Sequence, residues 1–168
     1  MTVTRRRFLA VLAGSAAALA SPGARAAAVR WTGHALGARV SLTLVHGDRN
    51  AAWDATRAAV TACVDEIERL EDVFSLYRPQ SALCRLNRHG ALDDPGADLV
   101  QALSQARAVA EWTGGAFDPT MQPLWRLHAA GPPDPAALAD TLTRVGHRGL
   151  SVAPRRVALA RPGMAVSL

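Results

Sequence analysis

The 168-residue sequence predicts an α+β fold, with amphipathic helices packed on an antiparallel sheet. Three observations carry that prediction. Gly37 to Val45 alternates apolar and polar residues, two later stretches repeat apolar side chains every three or four positions, and a Pro154-Arg155-Arg156 turn sits between short apolar runs. The length supports one domain with a real core. With 49% hydrophobic and 20% charged residues, disorder throughout is excluded.

Residues 1–26 read as an export signal. Thr4-Arg5-Arg6-Arg7-Phe8-Leu9 leads into an apolar stretch ending at Ala20, and Ala24-Arg25-Ala26 offers a small-x-small cleavage site. The apolar stretch is too short to span a bilayer. Arg-Arg-x-Phe-Leu is the twin-arginine form of such a signal, so a periplasmic protein without stable membrane insertion is expected. The signal holds four of the 19 basic residues and no acid, which leaves 15 basic against 14 acidic residues in 27–168. No electrostatic case for nucleic acid survives that balance.

In chain order, a short strand is expected around Val29 to Thr32. A half-buried one follows over Gly37 to Val45, with Val40, Leu42 and Leu44 on one side. Asp48 or Asn50 then caps a helix running to about Val73. Its apolar stripe is Trp53, Val60, Cys63, Val64, Ile67, Leu70 and Phe74, and Asp65, Glu66, Glu68, Arg69, Glu71 and Asp72 form a solvated face. From Ser75 to Pro95 no period holds, so a long irregular connection containing Cys84 is expected. A second helix spans Ala97 to Thr113, facing Leu99, Leu103, Ala106 and Ala110 inward and ending at Gly114-Gly115. Pro123 to His128 suits a short helix. Asp134-Pro135 starts a third that closes at Gly146, and Leu150 to Leu159 reads as a hairpin. Cys63 and Cys84 are expected as unpaired structural thiols, and the five scattered His residues offer no zinc spacing. Met164 to Leu168 resembles the opening of a further strand, so a truncated polypeptide is expected.

Three stretches could carry chemistry. Gly33-His34-Ala35-Leu36-Gly37-Ala38 allows close approach of a ligand to backbone, and it equally suits a plain turn. Ser75-Leu76-Tyr77-Arg78-Pro79-Gln80-Ser81, continuing to Leu86-Asn87, holds the chain's single tyrosine. That ring could stack on a planar heterocycle or plug the end of a helix, while Asn87 suits a turn. Gly114-Gly115-Ala116-Phe117-Asp118-Pro119-Thr120 could start a helix at Asp118, or its backbone and Phe117 could wall a nucleotide pocket.

Taken together and in this order, the three stretches resemble the ApbE family of FAD:protein FMN transferases. The resemblance covers nearly all of residues 33–168, and Gly-Ala-Phe-Asp-Pro-Thr is its most specific part. It implies Mg²⁺-dependent transfer of FMN from FAD to a Thr or Ser hydroxyl of an electron-transfer partner protein, with release of AMP. It also implies that Leu36, Tyr77, Ala116, Phe117 and Asp118 contact FAD, and it names no catalytic residue or metal ligand in this chain. The family's usual Met-Gly-Thr is Leu36-Gly37-Ala38 in this chain, which keeps apolar bulk and removes a hydroxyl. The competing readings are an Mg²⁺-dependent FAD pyrophosphatase and a non-catalytic periplasmic flavin-binding module.

Overall fold

The computed structural model of the chain describes residues 27–46 and 53–168. The predicted signal over 1–26, the capping residues Asp48 and Asn50, and the Trp53 side chain lie outside the described residues. The described residues divide into two compact units, one holding those up to His34 and between Ala38 and Ile67, the other Ala35–Gly37 with Glu68–Leu168.

In the first unit, strands β1 (Ala27–Ala35) and β2 (Ala38–His46) pair in a two-stranded sheet. Val40, Leu42 and Leu44 are half-buried while Arg39, Ser41 and Thr43 are exposed, as the alternation predicts. Helix α1 (Trp53–Phe74) contributes its residues up to Ile67 to this unit, burying Thr56 and Val60. Cys63, Val64 and Ile67 follow on the same stripe, half-buried.

The second unit holds the main core. Helix α2 (Ala82–His89) is followed by strand β3 (Ala91–Asp93), helix α3 (Ala97–Trp112), helix α4 (Gln122–Ala129) and helix α5 (Pro135–Leu142). A 3₁₀ turn over His147–Gly149 then leads into the hairpin of β4 (Leu150–Ala153) and β5 (Arg156–Leu159). The three strands form one antiparallel sheet in the order β3-β5-β4. Its register aligns Leu92 with Val157 and Val157 with Val152, so one face of the sheet is an apolar row. Leu83 and Leu86 of α2 and Leu99 and Leu103 of α3 cover that row. Leu150 and Val166 complete the cluster, each of these six at most 2% exposed. Burying each such leucine contributes about 2 kcal/mol.

Several expectations are corrected. Residues 75–95 are no irregular connection: α2 and β3 lie inside them, and Cys84 sits on a helix. Ser81 caps α2, accepting from Cys84 N at 3.0 Å, and Gly90 closes it in the left-handed conformation at φ 72°. Eight helical residues are too few for a period to show. The third helix ends at Leu142, four residues before Gly146, because residues 143–145 tighten into turns bonded back to Asp140, Thr141 and Leu142. Both cysteines are unpaired, as expected.

Candidate functional site

Within the second unit, the two-residue turn between β1 and β2 supplies the first site element. Leu36 and Gly37 have φ of 51° and 78°, the doubly left-handed geometry that hairpin turns favour. Leu36 bears a steric penalty of about 1–2 kcal/mol there. At Gly37 a glycine is required, since a Cβ would lie 2.2 Å from Tyr77 Cε2 and 2.7 Å from Cζ. The Tyr77 ring therefore rests directly on the turn's backbone. It is nevertheless 68% exposed, and Leu36 is 51% exposed. A bare aromatic face beside an exposed apolar side chain is suited to stacking on a flat heterocycle.

Glu71, in the last turn of α1, holds this arrangement. Its Oε1 accepts the Leu36 N–H at 2.5 Å, and its Oε2 accepts from Arg78 Nη2 at 2.5 Å. Arg78 also donates to Glu68 and Asp72. The hydrogen bonds to Glu68 and then Asp72 push the guanidinium further above its ordinary pKa, so it stays charged. The expected solvated face of α1 is thus corrected at Glu71, which is buried. Beside Tyr77 opens a cleft of about 350 Å³ lined by Leu76, Tyr77, Gln122, Trp125, Arg126 and Ser167. Trp125 presents a second exposed ring there.

The third stretch does something different from starting a helix. Asp118 is not an N-cap, because α4 begins only at Gln122. Its Oδ1 accepts from Thr120 N at 2.8 Å and Thr120 Oγ1 at 2.6 Å, a tight side-chain turn. Its Oδ2 accepts from His147 N at 2.7 Å, with His147 Nδ1 3.4 Å away. Thr120 Oγ1 in turn accepts from Gly146 N at 2.7 Å. Burial pushes the Asp118 carboxyl up, but the bonds from Thr120 and His147 outweigh it and hold the group below the ordinary carboxylate range. Ala116 and Phe117 precede this latch, both exposed. A cleft of about 300 Å³ opens nearby, lined by Glu111, Gly114, His147 and Arg148.

The five predicted site residues therefore resolve into two groups. Leu36 joins Tyr77 through Gly37, whereas Ala116, Phe117 and Asp118 gather around Thr120 and His147. Neither cleft is lined by both groups. What links them is short: Ser167, which lines the Tyr77 cleft, donates its N–H to the Pro119 carbonyl at 2.9 Å. Sequence reasoning missed Glu71, Trp125 and His147. Glu71 carried a signal, since it falls three or four positions from Ile67 and Phe74, on the apolar stripe itself, and Trp125 closes the Pro-Leu-Trp that follows the third stretch.

The model of the ApbE family matches residues 36–168. None of the curated proteins matches the chain. Among solved structures, the chain is similar to the flavin transferase ApbE from Vibrio cholerae, with TM-score 0.70 and 22% identity over 84% of this chain and 48% of that one. It is equally similar to the ApbE protein from Thermotoga maritima, with TM-score 0.70 and 22% identity over 84% of this chain and 47% of that one. The apo flavinyl transferase ApbE from Pseudomonas stutzeri gives TM-score 0.66 and 19% identity over 85% of this chain and 45% of that one. The chain spans about half the length of these structures.

Proposed function

Because the chain belongs to the ApbE family, we propose that it binds FAD and serves the transfer of FMN to a Thr or Ser hydroxyl of a partner protein. In that reaction the acceptor oxygen forms a bond to the flavin-side phosphorus, the pyrophosphate bond breaks, and AMP leaves. One observation carries the reading: an exposed tyrosine ring fixed on a glycine turn, next to a cleft of about 350 Å³ that holds a second aromatic ring and an arginine. Tyr77 and Leu36 would clamp the isoalloxazine. Ala116, Phe117 and Asp118 would meet the nucleotide end. Mg²⁺ is the metal expected for such a transfer. Among the described residues, however, no group of three or more His, Cys, Asp or Glu could hold one, so none is given that role.

The acceptor would belong to an electron-transfer system, and Arg5-Arg6 with the apolar stretch behind them supports twin-arginine export to the periplasm. No described helix is long and apolar enough to cross a membrane. The test is incubation with FAD, with and without Mg²⁺, in the presence of a candidate acceptor. AMP release with a flavin-sized mass gain on an acceptor hydroxyl is expected. AMP release without that gain would make the protein a pyrophosphatase, and binding without release a flavin module. Tyr77→Ala should weaken FAD binding by about 1–3 kcal/mol in a fluorescence titration.

A further inference from the structure

We propose that Glu71 is a positioning residue that sets the gap between the Leu36–Gly37 turn and the Tyr77 ring, and through it the fit of a flat ligand against both. The inference rests on the reading of Tyr77 as a flavin contact. Its basis is one carboxylate with two structural jobs. Oε1 takes the N–H of Leu36, a residue at φ 51° whose backbone conformation is disfavoured without an added restraint. Oε2 takes Arg78, the residue immediately after Tyr77. The two flanks of the proposed aromatic wall are thus bonded to opposite oxygens of the same buried group.

The two attachments are unequal. Without Glu71, Arg78 keeps Glu68 and Asp72 as partners, so the Tyr77 segment stays anchored. Leu36 N–H has no such reserve among its described bonds. The turn then keeps its packing, including that of Gly37 against the ring, but loses its hydrogen-bonded restraint. Glu71 therefore acts on ligand fit through the turn, and its effect must vanish when the ring it registers against is removed.

Four proteins test this: the full chain, Glu71→Ala, Tyr77→Ala and the double variant, each titrated with FAD by flavin fluorescence. Glu71→Ala should raise Kd about tenfold in the native background, the scale of one hydrogen bond to a charged group. In the Tyr77→Ala background it should add less than about twofold. Amide hydrogen exchange at Leu36, measured without flavin, should quicken by about tenfold or more in Glu71→Ala. An equal loss in both backgrounds, or unchanged exchange at Leu36, overturns the inference. If Tyr77→Ala leaves Kd unchanged, the flavin reading falls and takes the ligand-fitting role with it. If Tyr77→Ala weakens binding while Glu71→Ala does not, only the positioning role falls. Should Glu71→Ala fail to fold, Glu71→Gln keeps the side-chain volume but offers one neutral acceptor to two donors, and should show the same pattern at about threefold.

Discussion

At the scale of single residues, the most informative side chain is Asp118, because its bonds fix what its carboxylate must be. Both oxygens only accept, from two groups of Thr120 and from the His147 backbone. A protonated carboxyl would turn one oxygen into a donor facing another donor. Since its folded pKa lies below its unfolded one, the stabilisation is fully present above about pH 3.9 and is lost as pH falls through the depressed folded value. Asp118→Asn puts an amide NH₂ toward either Thr120 or His147, and should destabilise the fold by about 2 kcal/mol at neutral pH. Urea unfolding between pH 7 and pH 2.5 checks this. The gap between native and variant should be constant above about pH 4 and narrow below it. A gap that is the same at pH 2.5 would contradict the assignment.

At the scale of elements, what the sequence disclosed depended on length and on which period carried the burial. Helix α3 was fully legible, because Leu99, Leu103, Ala106 and Ala110 repeat over 16 residues and all four are buried. Helix α2 was not. Its two buried leucines, Leu83 and Leu86, make one turn of evidence, and its start depends on a serine whose role only the third dimension reveals. Ser81 Oγ accepts from Cys84 N and donates to the Ser75 carbonyl at 2.6 Å, while being 1% exposed. Strand β3 has three residues and exists because β5 is there to pair with it. The site was readable as residue types and not as geometry. Tyr77 stood out by rarity, but the turn beneath its ring comes from a stretch 40 positions away in sequence, and nothing local announces that meeting. Ser81→Ala tests the element directly. It removes an N-cap and leaves the Ser75 carbonyl only the weak Cys84 Sγ donor at 3.3 Å, so a loss of about 1–3 kcal/mol is expected in chemical denaturation. Ser81→Thr should retain most of the stability, because Thr can cap in the same way.

At the scale of the main unit, closure depends on a contact that spans 79 positions. Asn87, on α2, donates Nδ2–H to the Val166 carbonyl at 2.9 Å and accepts the Val166 N–H on Oδ1 at 2.7 Å. The side-chain amide thereby pairs with the backbone as a neighbouring strand would, and the expectation of a turn-stabilising role is replaced by this one. Val166 is itself fully buried in the apolar cluster, so neither of its polar groups has water as an alternative. Asn87→Ala leaves both unsatisfied and should cost about 2–4 kcal/mol. Asn87→Asp keeps the acceptor but turns a carboxylate oxygen toward the Val166 carbonyl, so it should cost at least as much. Urea midpoints should shift at constant slope, since the surface exposed on unfolding hardly changes. The consequence reaches past stability. Ser167 follows Val166, lines the Tyr77 cleft, and is the residue that bonds to Pro119 beside the Asp118 latch. Loosening Val166 should therefore weaken FAD binding even where the protein remains folded. The two effects should fall in the same order across the native chain and the two Asn87 variants. If affinity stays constant while stability falls, the cleft is built independently of the segment that closes the core.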